Sequence, residues 1–74
     1  MAETSFDWAK QALSGRIKQL REQQGLTQER LALECEIDRT FISQIERGVG
    51  NPSLRTLCKI ADRLGISTWA LIQT

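Results

Sequence analysis

The stretch Gln28-Glu29-Arg30-Leu31-Ala32-Leu33-Glu34-Cys35-Glu36-Ile37-Asp38-Arg39-Thr40-Phe41-Ile42-Ser43-Gln44-Ile45-Glu46-Arg47-Gly48 decides how this chain folds. Leu31, Ala32 and Cys35 recur at helical spacing and predict one short amphipathic helix over 28–35. Phe41, Ile42 and Ile45 predict a second, over 39–47. Thr27 and Asp38 stand where N-caps belong, and Gly48 follows where a helix stops. Only Glu36, Ile37 and Asp38 separate the two helices. So short a turn with one apolar member forces a sharp angle, and Ile37 is placed to plug the corner.

The second helix of the pair has two unlike faces. With Arg39 at 0°, Ser43 falls at about 40°, Arg47 at about 80°, Thr40 at about 100° and Gln44 at about 140°. Phe41, Ile45 and Ile42 fall at about 200°, 240° and 300° and form the side that docks on a core. The opposite side holds Arg, Thr, Ser, Gln and Arg, with no acid. Each of these side chains donates hydrogen bonds. Arg matches guanine N7 and O6, Gln matches adenine N6 and N7, and Thr adds a methyl contact to thymine. The competing reading is a plain solvated face. Such faces usually interleave Glu and Lys at i, i+4 spacing, and this one does not.

Outward from this pair the pattern stays helical. Leu13, Ile17 and Leu20 share a face of a first helix that starts between Trp8 and Ser14 and reaches Gln24, with Gly25 as its stop. After the pair, Val49-Gly50-Asn51-Pro52 forms a loop, because proline disfavours helix at the residue before it. Ser53 caps a helix over 54–64, with Leu54, Leu57, Cys58, Ile60, Ala61 and Leu64 as its expected inner face and Gly65 as its stop. Ser67 caps a last short helix over 68–73, where Leu71 and Ile72 fit inward positions. Strand-like alternation is absent. The expected architecture is all-α: five helices around one core, in a single domain over 1–74. Residues 1–10 read as an N-terminal extension and about 13–72 as the core.

The chain has 74 residues, too few for a second core. No apolar run approaches the roughly 20 residues of a membrane span, and no basic segment with an apolar stretch opens the chain, so a cytoplasmic location is expected. There is no histidine, and two cysteines alone do not complete an ordinary zinc site. Cys35 and Cys58 both fall at apolar helical positions. They read as small reduced core residues, with a disulfide or redox role as the alternative. No Gly-rich phosphate loop and no nucleophile beside a base is present, which argues against an enzyme. No cofactor, metal or small-molecule ligand is expected. Net charge is +1, but residues 1–21 carry +2, 22–38 carry −4 and 39–74 carry +3. The bases therefore concentrate on and after the 39–47 helix, which suggests one basic surface.

Three strings together carry a resemblance: Leu26-Thr27-Gln28-Glu29-Arg30-Leu31-Ala32, then Asp38 to Gly48, then Asn51-Pro52-Ser53-Leu54-Arg55-Thr56-Leu57. They resemble the Cro/CI-type (XRE) helix-turn-helix family, which includes lambdoid phage repressors and the controller proteins of restriction–modification systems. The resemblance covers about residues 13 to 72. It implies a five-helix lambda-repressor-like fold, binding to a double-stranded DNA operator as a homodimer, and transcription control. By position, Arg39, Thr40, Ser43 and Gln44 match base-reading residues. Gln28, Arg47, Asn51 and the amides of Val49 and Gly50 match phosphate contacts. Arg21 and Glu46 match an ion pair that turns the arginine towards a phosphate. Arg55 and Lys59 share an outer face and add phosphate contacts or are simply solvated.

The family's dimer surface is largely its fifth helix and the preceding segment, here Ile66, Ser67 and Trp69. Trp69 stands at a commonly polar position, as does Leu33, and a large exposed aromatic suits an interface. The alternative has Trp69 folding back over the first helix against Phe6 or Trp8. A different class of function is also open: a protein-interaction module, such as an antitoxin or a transcription cofactor.

Overall fold

The computed structural model describes residues 5–73, so the first four residues of the expected extension lie outside it. Five helices follow in order: α1 Ser5–Gln23, α2 Gln28–Cys35, α3 Arg39–Glu46, α4 Leu54–Leu64 and α5 Thr68–Ile72. The four expected N-caps form. Thr27 Oγ1 accepts from the Arg30 amide at 3.0 Å and Asp38 Oδ1 from Thr40 at 2.7 Å. Ser53 Oγ accepts from Thr56 at 3.1 Å and Ser67 Oγ from Ala70 at 3.0 Å. Each cap satisfies a first-turn donor that the helix itself leaves open, worth about 1 kcal/mol.

α2 packs on α3 and α4, α1 packs on α3 and α5, and α4 packs on α5. Ile17, Leu31, Ile42, Ile45, Ile60 and Leu71 are fully enclosed where these helices meet. Ala32, Cys35, Leu57, Ala61 and Leu64 complete the core, and Leu13, Leu20, Ile37 and Phe41 lie against it. Cys35 and Cys58 are free thiols, the second only half-buried. Burial pushes the Cys35 thiol pKa upward, which keeps it protonated.

Three expectations need correction. α1 begins at Ser5, earlier than the apolar period indicates. Its first turns do not dock, since Phe6 and Trp8 are exposed, so no inward stripe marks them. Leu54 belongs to the apolar face of α4 by angle but is 67% exposed. A helical wheel gives direction and not height, and the first turn of α4 overhangs the core. Ile72 is 37% exposed while Leu71 is enclosed. Ile72 is the last residue of the five-residue α5 and borders the open groove beside Phe6, past the reach of the core.

The corner between α2 and α3 turns on Glu36, the one non-glycine residue with positive φ among the described residues (φ 58°, ψ 45°). The left-handed turn lets the Ile37 amide reach the Ala32 carbonyl at 2.9 Å and closes α2. A side chain in this conformation costs about 1–2 kcal/mol, and glycine carries no such penalty. Glu36→Gly is therefore expected to raise stability by about 0.5–1 kcal/mol after its larger unfolded-state entropy is counted. Thermal unfolding followed by circular dichroism should show a Tm several degrees higher. An unchanged or lower Tm would mean that the turn holds Glu36 without strain.

Candidate nucleic-acid interface

α3 presents the predicted face to solvent. Ile42 and Ile45 anchor it to the core, Arg39, Thr40 and Arg47 are exposed, and Ser43 and Gln44 are half-buried. Gln28 begins α2 and lines an open cleft with Arg21, Thr27, Glu29 and Arg39. Residues distant in sequence, at the end of α1 and the starts of α2 and α3, thus meet at one surface. Exposed Arg30 and the partly covered Arg63 do not join it. Both bond Glu34, holding its carboxyl below the usual carboxylate range, with Arg63 contributing most.

α3 ends at Glu46, one residue before the expected Arg47, because the chain turns back under its last turn. Gly48 donates to the Ile45 carbonyl at 3.0 Å. Val49 and Gly50 both donate to the Gln44 carbonyl, at 3.0 and 2.9 Å. The two amides matched to phosphate by position are therefore engaged inside the protein. In this loop it is the exposed Asn51 that carries a polar side chain towards solvent.

Gly50 itself is buried, and the loop presses its backbone onto α3. A Cβ at this position would lie 2.9 Å from Ile45 N and 3.1 Å from the Gln44 carbonyl carbon. Neither backbone atom can yield cheaply. Gly50→Ala should cost about 1–3 kcal/mol by forced displacement, as overpacking does elsewhere. Urea unfolding of the variant measures this, and a loss below about 0.5 kcal/mol would show that the loop shifts freely.

Behind the exposed face lies an ion pair. Arg21 Nε donates to Glu46 Oε2 at 2.6 Å and Nη2 donates to Oε1 at 2.9 Å. Arg21 Nη1 donates to the Leu26 carbonyl at 2.6 Å, and Gln28 Nε2 donates to Glu46 Oε1 at 3.0 Å. The Glu46 side chain is only 2% exposed and that of Arg21 10%. The hydrogen bond to Glu46 raises the Arg21 pKa, overriding the opposite effect of burial. The only acid within α3 is thus withdrawn from the surface and neutralised. Arg21 has three of its five N–H groups committed inward. The Gln28–Glu46 bond had no sequence signal, because it depends on how α2 and α3 dock.

On α5, Trp69 is 72% exposed and does not fold back over α1. The groove beside Phe6 is lined by Ile72 and Pro52 instead. Ser67 is exposed, whereas Ile66 is half-buried against the core.

The fold recurs in known proteins. The Helix-turn-helix family HTH_3 matches residues 17–68. The control protein C.BamHI of Bacillus amyloliquefaciens is 44% identical over 52 residues, which are 69% of this chain and 64% of that protein. The chain therefore spans just under two thirds of that relative's length. The restriction–modification controller protein C.AhdI of Aeromonas hydrophila superposes with a TM-score of 0.81 at 35% identity, covering 84% of this chain and 94% of that one. The biofilm regulator SinR, solved in complex with DNA, superposes with a TM-score of 0.78 at 32% identity, covering 82% and 98%. By its fold, its matched segment and these likenesses, the chain belongs to the HTH_3 (XRE-type) helix-turn-helix family, a family of transcription regulators and not of enzymes.

Proposed function

We propose that this chain is a sequence-specific DNA-binding regulator of transcription that grips a two-fold operator as a homodimer, with α3 in the major groove. The observation that carries this reading is the exposed face of α3. Arg39, Thr40, Ser43 and Gln44 supply base-edge donors, while the helix's own acid is buried and paired. Arg47, Gln28 and Asn51 flank that face and take phosphates, which set register and carry no sequence information. Gel shift against the DNA upstream of the protein's own coding region, with a random duplex as competitor, tests the reading. A retarded complex that survives the competitor, with a footprint of two half-sites about 34 Å apart, is expected. Equal affinity for both duplexes would overturn it.

One recognition helix reads only a few base pairs, so specific affinity in a domain this small calls for two copies. Trp69, with Ser67 and Ile66 beside it, is the proposed contact, because a two-fold interface lets one patch meet itself. A central aromatic in such a contact is worth about 2 kcal/mol or more, roughly thirtyfold in Kd. Trp69→Ala should therefore sediment as a monomer at concentrations where the parent is dimeric, with its circular dichroism unchanged. A folded variant that dimerises as tightly as the parent would place the interface elsewhere.

A further inference from the structure

Glu46 Oε1 serves two donors at once, Arg21 Nη2 at 2.9 Å and Gln28 Nε2 at 3.0 Å. An ionised carboxylate only accepts hydrogen bonds, so this contact decides which end of the Gln28 amide points inward. An unanchored glutamine presents its carbonyl or its NH2 to a neighbour with little preference, and the two ends have opposite meaning to an anion. Here the NH2 group is the anchored end. One of its N–H bonds lies on Glu46, and the other diverges from it. Gln28 lines the open cleft that also carries Arg21 and Arg39. It is also the first residue of α2, whose first-turn amides and dipole favour an anion.

We infer that Glu46 is a positioning residue for phosphate binding, acting through Gln28. Its carboxylate holds the Gln28 amide so that the second N–H projects to a DNA phosphate and the carbonyl oxygen does not. Arg21 plays the complementary part. Its bidentate pairing cancels the carboxylate's charge, so an acid just behind the phosphate site orients a donor without repelling the ligand. The inference deepens the regulator reading above and rests on it. It also gives the Arg21–Glu46 pair a part in binding that does not require Arg21 to reach the DNA.

The test is a double-mutant cycle on operator affinity, with Gln28→Ala, Glu46→Gln and both together, each confirmed folded by circular dichroism at the assay temperature. Removing one hydrogen bond to an anionic phosphate should weaken binding by about 10- to 100-fold per protomer for Gln28→Ala. Glu46→Gln should weaken it at least as much, and adding Gln28→Ala to it should bring no further loss. Where Glu46→Gln fails to fold, Glu46→Asp replaces it, since it keeps a charge for Arg21 but draws it back from Gln28. A spectroscopic arm separates positioning from mere support. The two side-chain N–H resonances of Gln28 should be widely split in the parent and move to ordinary values in the Glu46 variant. Losses that multiply, or Gln28 resonances unmoved by the Glu46 variant, would overturn the inference while leaving the regulator reading intact. A parent that binds no duplex would overturn both.

Discussion

Glu46→Ala is expected to cost about 3–5 kcal/mol of folding stability, a large part of the roughly 5–15 kcal/mol that holds an ordinary domain together. The reason lies less in the missing attraction than in the charge left behind. Arg21 is 8% exposed, and without Glu46 its guanidinium keeps only the Leu26 carbonyl as a strong acceptor. The exposed Glu22 carboxylate, 4.0 Å away, is then its nearest counter-charge, too distant and too solvated to replace the bidentate pair. The value should fall towards the lower end, because so small a domain leaves water close to the pair. Glu46→Gln should lose less, since an amide oxygen still accepts from Arg21. Replacing both partners, Arg21→Met with Glu46→Met, should recover much of the loss, because removing both charges removes the desolvation they impose. Urea unfolding followed by far-UV circular dichroism gives all three values. A loss under about 1 kcal/mol for Glu46→Ala would class the pair with exposed ion pairs, contrary to its burial.

The second large effect is expected in recognition. Arg39→Ala and Gln44→Ala should each cost about 1–3 kcal/mol per half-site on the operator and relax preference at one base position. A two-fold complex contains each interaction twice, so either change should remove about 2–6 kcal/mol from the whole complex. Gln44 is well placed for such a role, since its carbonyl receives the Val49 and Gly50 amides and its backbone is held from below. Arg47→Ala should behave differently. It should weaken operator and random duplex alike and lower the salt slope by about 0.9 for each phosphate that the variant no longer neutralises. Fluorescence anisotropy at several salt concentrations, with operators changed one base pair at a time, distinguishes the two patterns. A Gln44→Ala protein with full sequence preference would show that the reading face lies elsewhere on α3.

Much of this protein was legible in local chemistry. Thr27, Asp38, Ser53 and Ser67 cap their helices because a short side-chain oxygen satisfies an amide two or three residues on, and that needs no distant partner. The inward faces of α2 and α3 follow from spacing alone, and so does the tight corner between them. The polar face of α3 is visible for the same reason. The period failed where a helix runs past the core, at Ser5 to Trp8, at Leu54 and at Ile72, because a wheel carries no information on where the neighbouring helices end.

Five helices, the N-caps of four of them, the sharp turn after Cys35 and a helix with an acid-free donor face are all written in local sequence. Those features are set by interactions within a few residues, where the backbone hydrogen-bond geometry repeats. The remainder had to wait for the helices to dock. Gln28 meets Glu46 across 18 positions and Arg21 meets it across 25, and both pairings exist only once α1, α2 and α3 come together. The loop after α3 folds under Gln44 and takes up the amides of Val49 and Gly50, leaving Asn51 outside. Long-range pairing depends on the height and angle at which helices pack. Those are set by the joint volume of Ile17, Leu31, Ile42 and Ile45, which no single stretch of sequence contains.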